Sequence, residues 1–312
     1  LSLHDALPIS DFFDLPAEGE VDIEGLSVDG DYLWICGSHS LKRKKPDPDE
    51  TGVAEALERL TRVECEPNRY LLGRIPMVRE SEDGVHALAR SAPSGGGGPG
   101  RRAGRLKMDG KGSNALSRAL RKDEHLGRFM AIPSKDNGFD VEGISARGDR
   151  VFLGMRGPVL RGWAVLLELE VTEKGSVGKA AGLISRADED ELIFSDGTAE
   201  LRRMDPETFK ERQRFTVTMD GQPVEGLNEL ECVGDEVYAN VFTTTNIMRI
   251  DARSGKVTAV IDASGLPNNA EPDPNNVLNG IAHIPGTDEF YLTGKRWPDM
   301  YRVTFQDEDA AK

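Results

Sequence analysis

"LNGIAHIPGTDEFYLTGK", residues Leu278 to Lys295, consists of two short apolar arms joined by a Pro-Gly-Thr-Asp corner. Alternating apolar residues on both arms, with a Gly/Asp turn between them, make a β-hairpin pattern. The pattern decides the fold because it recurs. "IEGLSVDGDYLWICGS" begins at Ile23, "VEGISARGDRVFLGMRG" at Val141 and "LNELECVGDEVYANV" at Leu227. Each has an apolar residue, then Glu or Asn, a short apolar strand, a turn and a second strand. Glu24, Glu142, Asn228 and Asn279 therefore share one position, at separations of 118, 86 and 51 residues. The last interval suits one four-stranded propeller blade, and the others suit two blades or a blade with an insertion. "ELIFSDGTAELRRMD" and "NIMRIDARSGKVTAVIDA" add further turns flanked by strand-like runs. Regular short strands without βαβ alternation predict an all-β fold, a β-propeller of about five blades. A β-sandwich is the alternative, because hairpins alone do not fix closure.

Two stretches break the pattern. Asp47 to Val63 and Ser113 to Met130 carry apolar residues at helical spacing, and between them "SAPSGGGGPGRRAG" (Ser91 to Gly104) reads as a flexible connector. They predict a helical and disordered insertion at about 46–130. It falls within N-terminal blades over 11–175, ahead of a second set over 176–312. The first ten residues, "LSLHDALPIS", resemble a translated sequencing adapter. They are accordingly expected to be a scar left by sequence assembly and to play no part in reading the fold, with the true N-terminus, and any signal peptide, missing. No compartment is read from this end.

Bulk composition narrows the function classes. A chain of 312 residues with 38% hydrophobic residues can fill a sizeable core. The 39 Lys and Arg against 54 Asp and Glu give a net charge of −15, which repels nucleic acid and anionic membrane. No apolar run is long enough to span a bilayer. Cys36, Cys65 and Cys232 are odd in number and lack CxxC spacing, and the five histidines are scattered. A disulfide framework or a zinc site is therefore not expected. The Asp-Gly pairs read as turns rather than calcium loops, and no cofactor is implied. "PDPDE" and "NNAEPDPNN" have oxygen ligands for a structural cation, but their ordinary reading is solvated acidic loop. "SLKRKK" (Ser40 to Lys45) reads as a solvated basic loop, "GGGGPG" lacks a phosphate-loop ending, and no G-x-S-x-G occurs.

Polar residues at strand ends are the candidates for chemistry. Equivalent ends of the inner strands converge on a propeller's axis, so Asn228, ahead of one strand, and Lys295, after another, can face a common pocket. The plainer reading makes Asn228 a turn cap and Lys295 a loop lysine.

From about Leu183 to Phe305 the chain resembles the β-propeller (plant and bacterial) type of glutaminyl-peptide cyclotransferase. "LNELE", "VYANV", "VLNGIA" and "LTGKRWP", in this order, carry the resemblance. It implies a five-bladed propeller that converts an N-terminal glutamine to pyroglutamate and releases ammonia, with such a peptide as substrate. By position Asn228 matches that family's carbonyl-polarising asparagine and Lys295 its active-site lysine. Phe242 stands where tryptophan is usual, as a hydrophobic wall for substrate, and Trp297 joins it as a substrate-binding residue that packs behind Lys295 and orients it. The family's acid/base glutamate lies in an F-E-S-T-G strand, whereas the comparable hairpins here put Ile35 or Gly154 at that position. General acid–base catalysis contributes about 10²–10⁴-fold, so the missing glutamate leaves activity open. From about Val21 to Glu170 the chain resembles a different, uncharacterised bacterial family, on "GSHSLKRKK", "SNALSRAL" and "KDNGFDVEGISARGDRVFLGMRG". Three readings stand: an assembly chimera joined near Val171 to Gly182, a propeller that serves as a binding or scaffold module, or a cyclotransferase whose acid/base is Glu24 or Glu142.

Overall fold

A computed structural model gives the architecture; it describes residues 2–19, 21–47, 49, 52–79, 86–93, 100–109, 112–148, 150–161, 165–171, 177–182, 192–205, 208, 210–269 and 276–306. The middle of the expected connector (94–99), the middle of the expected junction (172–176) and most of "NNAEPDPNN" lie outside the described residues.

The hairpins become the inner strands of five antiparallel sheets arranged as a propeller. Blade 1 is built on Ile23–Asp29, Tyr32–Gly37, Leu72–Arg79 and Gly104–Arg105. Blade 2 runs through Asp140–Arg147, Arg150–Gly157, Leu166–Val171 and Val177–Gly182. Blade 3 has Leu192–Ser195, Glu200–Met204 and Glu211–Thr216, and blade 4 has Leu227–Val233, Glu236–Val241, Asn246–Asp251 and Val257–Asp262. Blade 5 takes Leu278–His283, Glu289–Gly294 and Asp299–Thr304, and its fourth strand is Ser2–Pro8. The interval of 118 residues is thus one blade with an insertion, and that of 86 is two blades.

Apolar residues alternate along these strands, so each sheet buries a face against its neighbour. Ile23, Ile35 and Ile75 of blade 1 pack with Tyr291 and Met300 of blade 5, and Leu201 and Val217 beside blade 3 pack with Val237 and Met248 of blade 4. The hairpins turn at Gly30 and Gly234, whose φ of 54° and 59° suits a residue without Cβ.

Three expectations are corrected. The helices are shorter than their apolar spacing suggests, Val53–Arg59 and Ala115–Leu120, the second followed by 3₁₀ turns at Gly127–Ala131 and Ser134–Asp136. Moreover, 46–130 is not wholly an insertion, because Leu72–Arg79 and Gly104–Arg105 within it complete blade 1. Pro76 in the middle of "LLGRIPMVR" disguises that strand; it sits opposite Tyr32 in the ladder. The first ten residues also enter the fold. Ser2–Pro8 pairs with Asp299–Thr304, and Ile9, 1% exposed, donates its backbone N–H to Pro298 O at 3.1 Å. First and last strands share one sheet, which ties the ring shut.

Candidate functional site

The shared polar position marks an irregularity of backbone as well as of sequence. The ladder register shifts between Ile23 and Gly25, Val141 and Gly143, Leu227 and Leu230, and Leu278 and Ile281. Glu24, Glu142, Asn228 and Asn279 therefore sit in β-bulges, which re-aim a side chain out of the ladder. All four are at the start of an inner strand, so they meet at one end of the axis.

Two polar networks join the bulges of neighbouring blades. Ser195 Oγ of blade 3 donates to Asn228 O at 2.7 Å, and Asn228 Nδ2 donates to Asn279 Oδ1. Lys295 Nζ, from blade 5, donates to Glu24 Oε1 of blade 1 at 2.5 Å and lies 3.9 Å from Glu142 Oε1 of blade 2. Arg156 Nη1 pairs with Glu142 Oε1 at 2.6 Å, and its Nη2 pairs with Asp140. Behind them Arg69 Nη2 meets Asp22 Oδ2 at 2.7 Å.

Burial sets the electrostatics. Glu24 is fully buried and its Oε2 has no hydrogen-bond partner. That burial, reinforced by the charges of Glu142 and Asp22, pushes its carboxyl well above the ordinary range, against the pull of Lys295. Burial acts to lower Lys295, but Glu24, Glu142 and Asp22 outweigh it and hold the ammonium charged above its ordinary range. Burial, then Glu142, pushes Asp140 up to about 7. In Asp22 burial acts upward, but Lys295 and Arg69 prevail and hold the carboxyl below its usual value. The site thus pairs a fixed cation with a carboxyl able to exchange a proton, the combination general acid–base chemistry needs.

Of the residues singled out in the sequence, Asn228 lies in the network with Asn279 and Lys295 in the network with Glu24 and Glu142. Phe242 follows the strand opposite Asn228's, in the register where Lys295 follows the strand opposite Asn279's, because Leu227 faces Val241 as Leu278 faces Gly294. It is 50% exposed at the same end of the propeller. Trp297 is placed differently: it is 5% exposed, within the core shared by blades 4 and 5, rather than presented to a ligand. Its indole Nε1 donates to Asn276 O at 3.2 Å, and a Cβ on Gly294 would come within 2.2 Å of its ring. Trp297 therefore props the Gly294–Lys295 turn from behind. Ile35 is fully buried in the core between blades 1 and 5 and offers no chemistry; Glu24, on the neighbouring strand, occupies the axis. Asp22, Asp140 and Arg156 carried no signal as single residues, yet "DIEG" and "DVEG" repeat as a unit, Asp22 to Gly25 and Asp140 to Gly143.

The insertion closes over blade 1's side of the site. His39 Nδ1 donates to Gly37 O at 2.9 Å, while Asn114 Nδ2 donates to His39 Nε2 at 3.2 Å and to Tyr70 O at 3.1 Å. Burial pushes His39 down to about 4, so the ring is neutral and able to accept. Ser40 Oγ, bonded by Arg69 Nη2 at 2.8 Å, links this network to Asp22.

A family model described as Protein of unknown function (DUF3616) matches residues 2–227. The chain belongs to that family. The DUF3616 match runs without a break across Val171 to Gly182, where a change of family was expected, and it includes most of the adapter-like decapeptide. A curated relative, "Glutaminyl-peptide cyclotransferase" of Arabidopsis thaliana, is 30% identical over 212 residues, covering 65% of this chain and 64% of the relative. The chain thus spans somewhat under two thirds of that relative's length. The two matches together exceed 312 residues, so they overlap rather than divide the chain. In fold the DUF3616 chain is similar to a crystal structure of Myxococcus xanthus glutaminyl cyclase, with a TM-score of 0.55, 19% identity and coverage of 98% and 97% of the two chains. Among the described residues, no helix is long and apolar enough to cross a membrane, and no group of three or more His, Cys, Asp or Glu is set to hold a metal ion. Cys36, Cys65 and Cys232 are free thiols.

Proposed function

We propose that this protein cyclises N-terminal glutamine to pyroglutamate with release of ammonia, using Glu24 in place of the glutamate that its sequence lacks at Ile35. The observation that carries this reading is the Lys295–Glu24 contact of 2.5 Å on the propeller axis; the glutaminyl-cyclase-like sequence and fold support it. In the reaction the neutral α-amine attacks the γ-carboxamide carbon. A C–N bond forms, the γ C–NH2 bond breaks, and one proton passes from the attacking nitrogen to the departing one. No water or co-reactant is consumed.

Each requirement has a candidate group. Glu24, whose carboxyl burial raises well above its ordinary range, takes the amine proton and delivers it to the leaving nitrogen. The Lys295 ammonium stabilises the negative oxygen of the tetrahedral intermediate, and Asn228 Nδ2, turned from Asn279, donates to the γ-carbonyl. Phe242 supplies an apolar wall that keeps the glutamine side chain folded back on its amine. Glu142, held by Arg156, attracts the substrate's amino end.

The test is ammonia release from a Gln-initiated dipeptide by the purified protein. Lys295→Ala is expected to abolish it, and Glu24→Gln to lower kcat by about 10²–10⁴-fold, the range of general acid–base catalysis. A protein that binds the dipeptide without releasing ammonia would instead be a binding module, a reading favoured by the ion pairs that already occupy Glu24 and Glu142.

A further inference from the structure

The residue after each shared polar position is Gly25, Gly143 and Gly280 in three blades, but Glu229 in blade 4. The exception has a spatial reason. A Cβ on Gly25 would lie 2.8 Å from Glu229 Oε1, so the glutamate crosses from blade 4 to occupy space that blade 1 leaves open. At Gly143 a Cβ would meet nothing within 4 Å, so the axis stays open toward blade 2.

Glu229 is 7% exposed, and its carboxyl accepts from two other blades. Ile281 N donates to Oε2 at 3.3 Å, and Leu26 N donates to the same carboxyl. Ile281 lies two residues beyond Asn279, and Leu26 two beyond Glu24. Asn240, 1% exposed, reinforces the grip by accepting from Gly280 N at 3.3 Å. These amides lie in or just beyond the bulges, where the regular ladder is broken. An unsatisfied buried N–H costs about 1–3 kcal/mol, so these bulges depend on acceptors from outside their own sheets.

We propose that Glu229 is the positioning residue of the axial site, fixing the backbone that carries Glu24 and Asn279 and so holding Glu24 against Lys295. The inference rests on reading Glu24 and Lys295 as the working pair, but its consequence is measurable on Lys295 whether or not ammonia is released. Losing Glu229 frees the Glu24 bulge, and Lys295 loses the partner that holds its proton.

The experiment is amine labelling of the folded full chain with acetic anhydride at pH 8, with Lys295 modification measured by mass spectrometry and thermal midpoints recorded in parallel. Glu231, two residues along the same strand, accepts from His283 N at 2.9 Å and is the control for an inter-blade bond away from these networks. Glu229→Ala is expected to raise the Lys295 labelling rate about tenfold, the effect of one unit in its pKa. Glu229→Gln, with one acceptor oxygen instead of two, is expected to fall between, and Glu231→Ala to leave the rate unchanged though its midpoint drops. Wild-type labelling rates in the Glu229 variants, or an equal rise in Glu231→Ala, would overturn the proposal. Should Glu229→Ala fail to fold, Glu229→Gln against Glu231→Gln decides it on the same criterion. A wild-type protein that releases no ammonia counts against the cyclisation reading and leaves this comparison intact.

Discussion

Lys295 shows how little a residue type says before its surroundings are known. As one position in a Gly-Lys-Arg corner it reads as a solvated lysine; in the structure it bridges blades 5 and 1. Its candidate partner Glu24 is recognisable in the sequence only as the first member of a repeated position. Buried carboxyls elsewhere give a separate, testable titration. Burial pushes Glu231 up to about 8, although the His283 amide acts in the opposite direction. The folded state therefore holds a proton that the unfolded chain, titrating at the ordinary glutamate value, gives up earlier. The stability that this proton contributes is complete below about pH 4.5 and is lost as pH rises through 8. Glu231→Gln is neutral throughout, so wild-type stability should fall relative to the variant between pH 5 and 8, by at most about 1.4 kcal/mol per pH unit. Urea midpoints at pH 5, 6.5 and 8 check this, and parallel curves would contradict it.

Among the elements, the short helix Ala115–Leu120 is held less by its own propensity than by its N-cap. At 6 residues it is too short to persist alone. Asn114 Oδ1 accepts from Ser117 N at 2.9 Å, Ser117 Oγ accepts from Asn114 N at 2.9 Å, and the remaining amide hydrogens reach His39 and Tyr70 O. One side chain thus joins the helix to blade 1's loop. Asn114→Ala should cost about 1–2 kcal/mol for the cap alone, and more because His39 Nε2 and Tyr70 O lose their donor. Urea unfolding checks the magnitude; a loss below about 0.5 kcal/mol, the low end for a cap, would mean that the network is not bearing on the fold. The strand Leu72–Arg79 makes the complementary point. Proline and arginine interrupt its alternation, and only its pairing with Tyr32–Gly37 identifies it.

For the molecule as a whole, closure comes from the two ends of the described chain. Ile9 packs with Met300 and Tyr291, and Ser2–Pro8 forms the outer strand of blade 5. A propeller whose last blade lost that strand would expose the edge of Asp299–Thr304. Ile9→Ala should cost about 2–5 kcal/mol, the range for a large core residue, and removal of residues 1–10 should lower the thermal midpoint at least as far. Calorimetry on the two variants decides this. An unchanged midpoint on removal would show that the decapeptide is a dispensable appendage.

Hairpins, their shared polar position and the radial repeat follow from local chemistry, because alternation and turn residues act over a few neighbours in the chain. Those features were legible before any coordinates, whereas the expectation that Asn228 and Lys295 work together came from a family resemblance. The carboxylates that meet Lys295 were legible only as a repeat, "DIEG" and "DVEG". Which of them touches the lysine depends on how five sheets close around one axis. The same closure brings Glu229 into space left at Gly25 and Asn114 onto His39, across 204 and 75 residues of chain. Contacts at such separations are set by the packing of whole blades, and no local pattern encodes them.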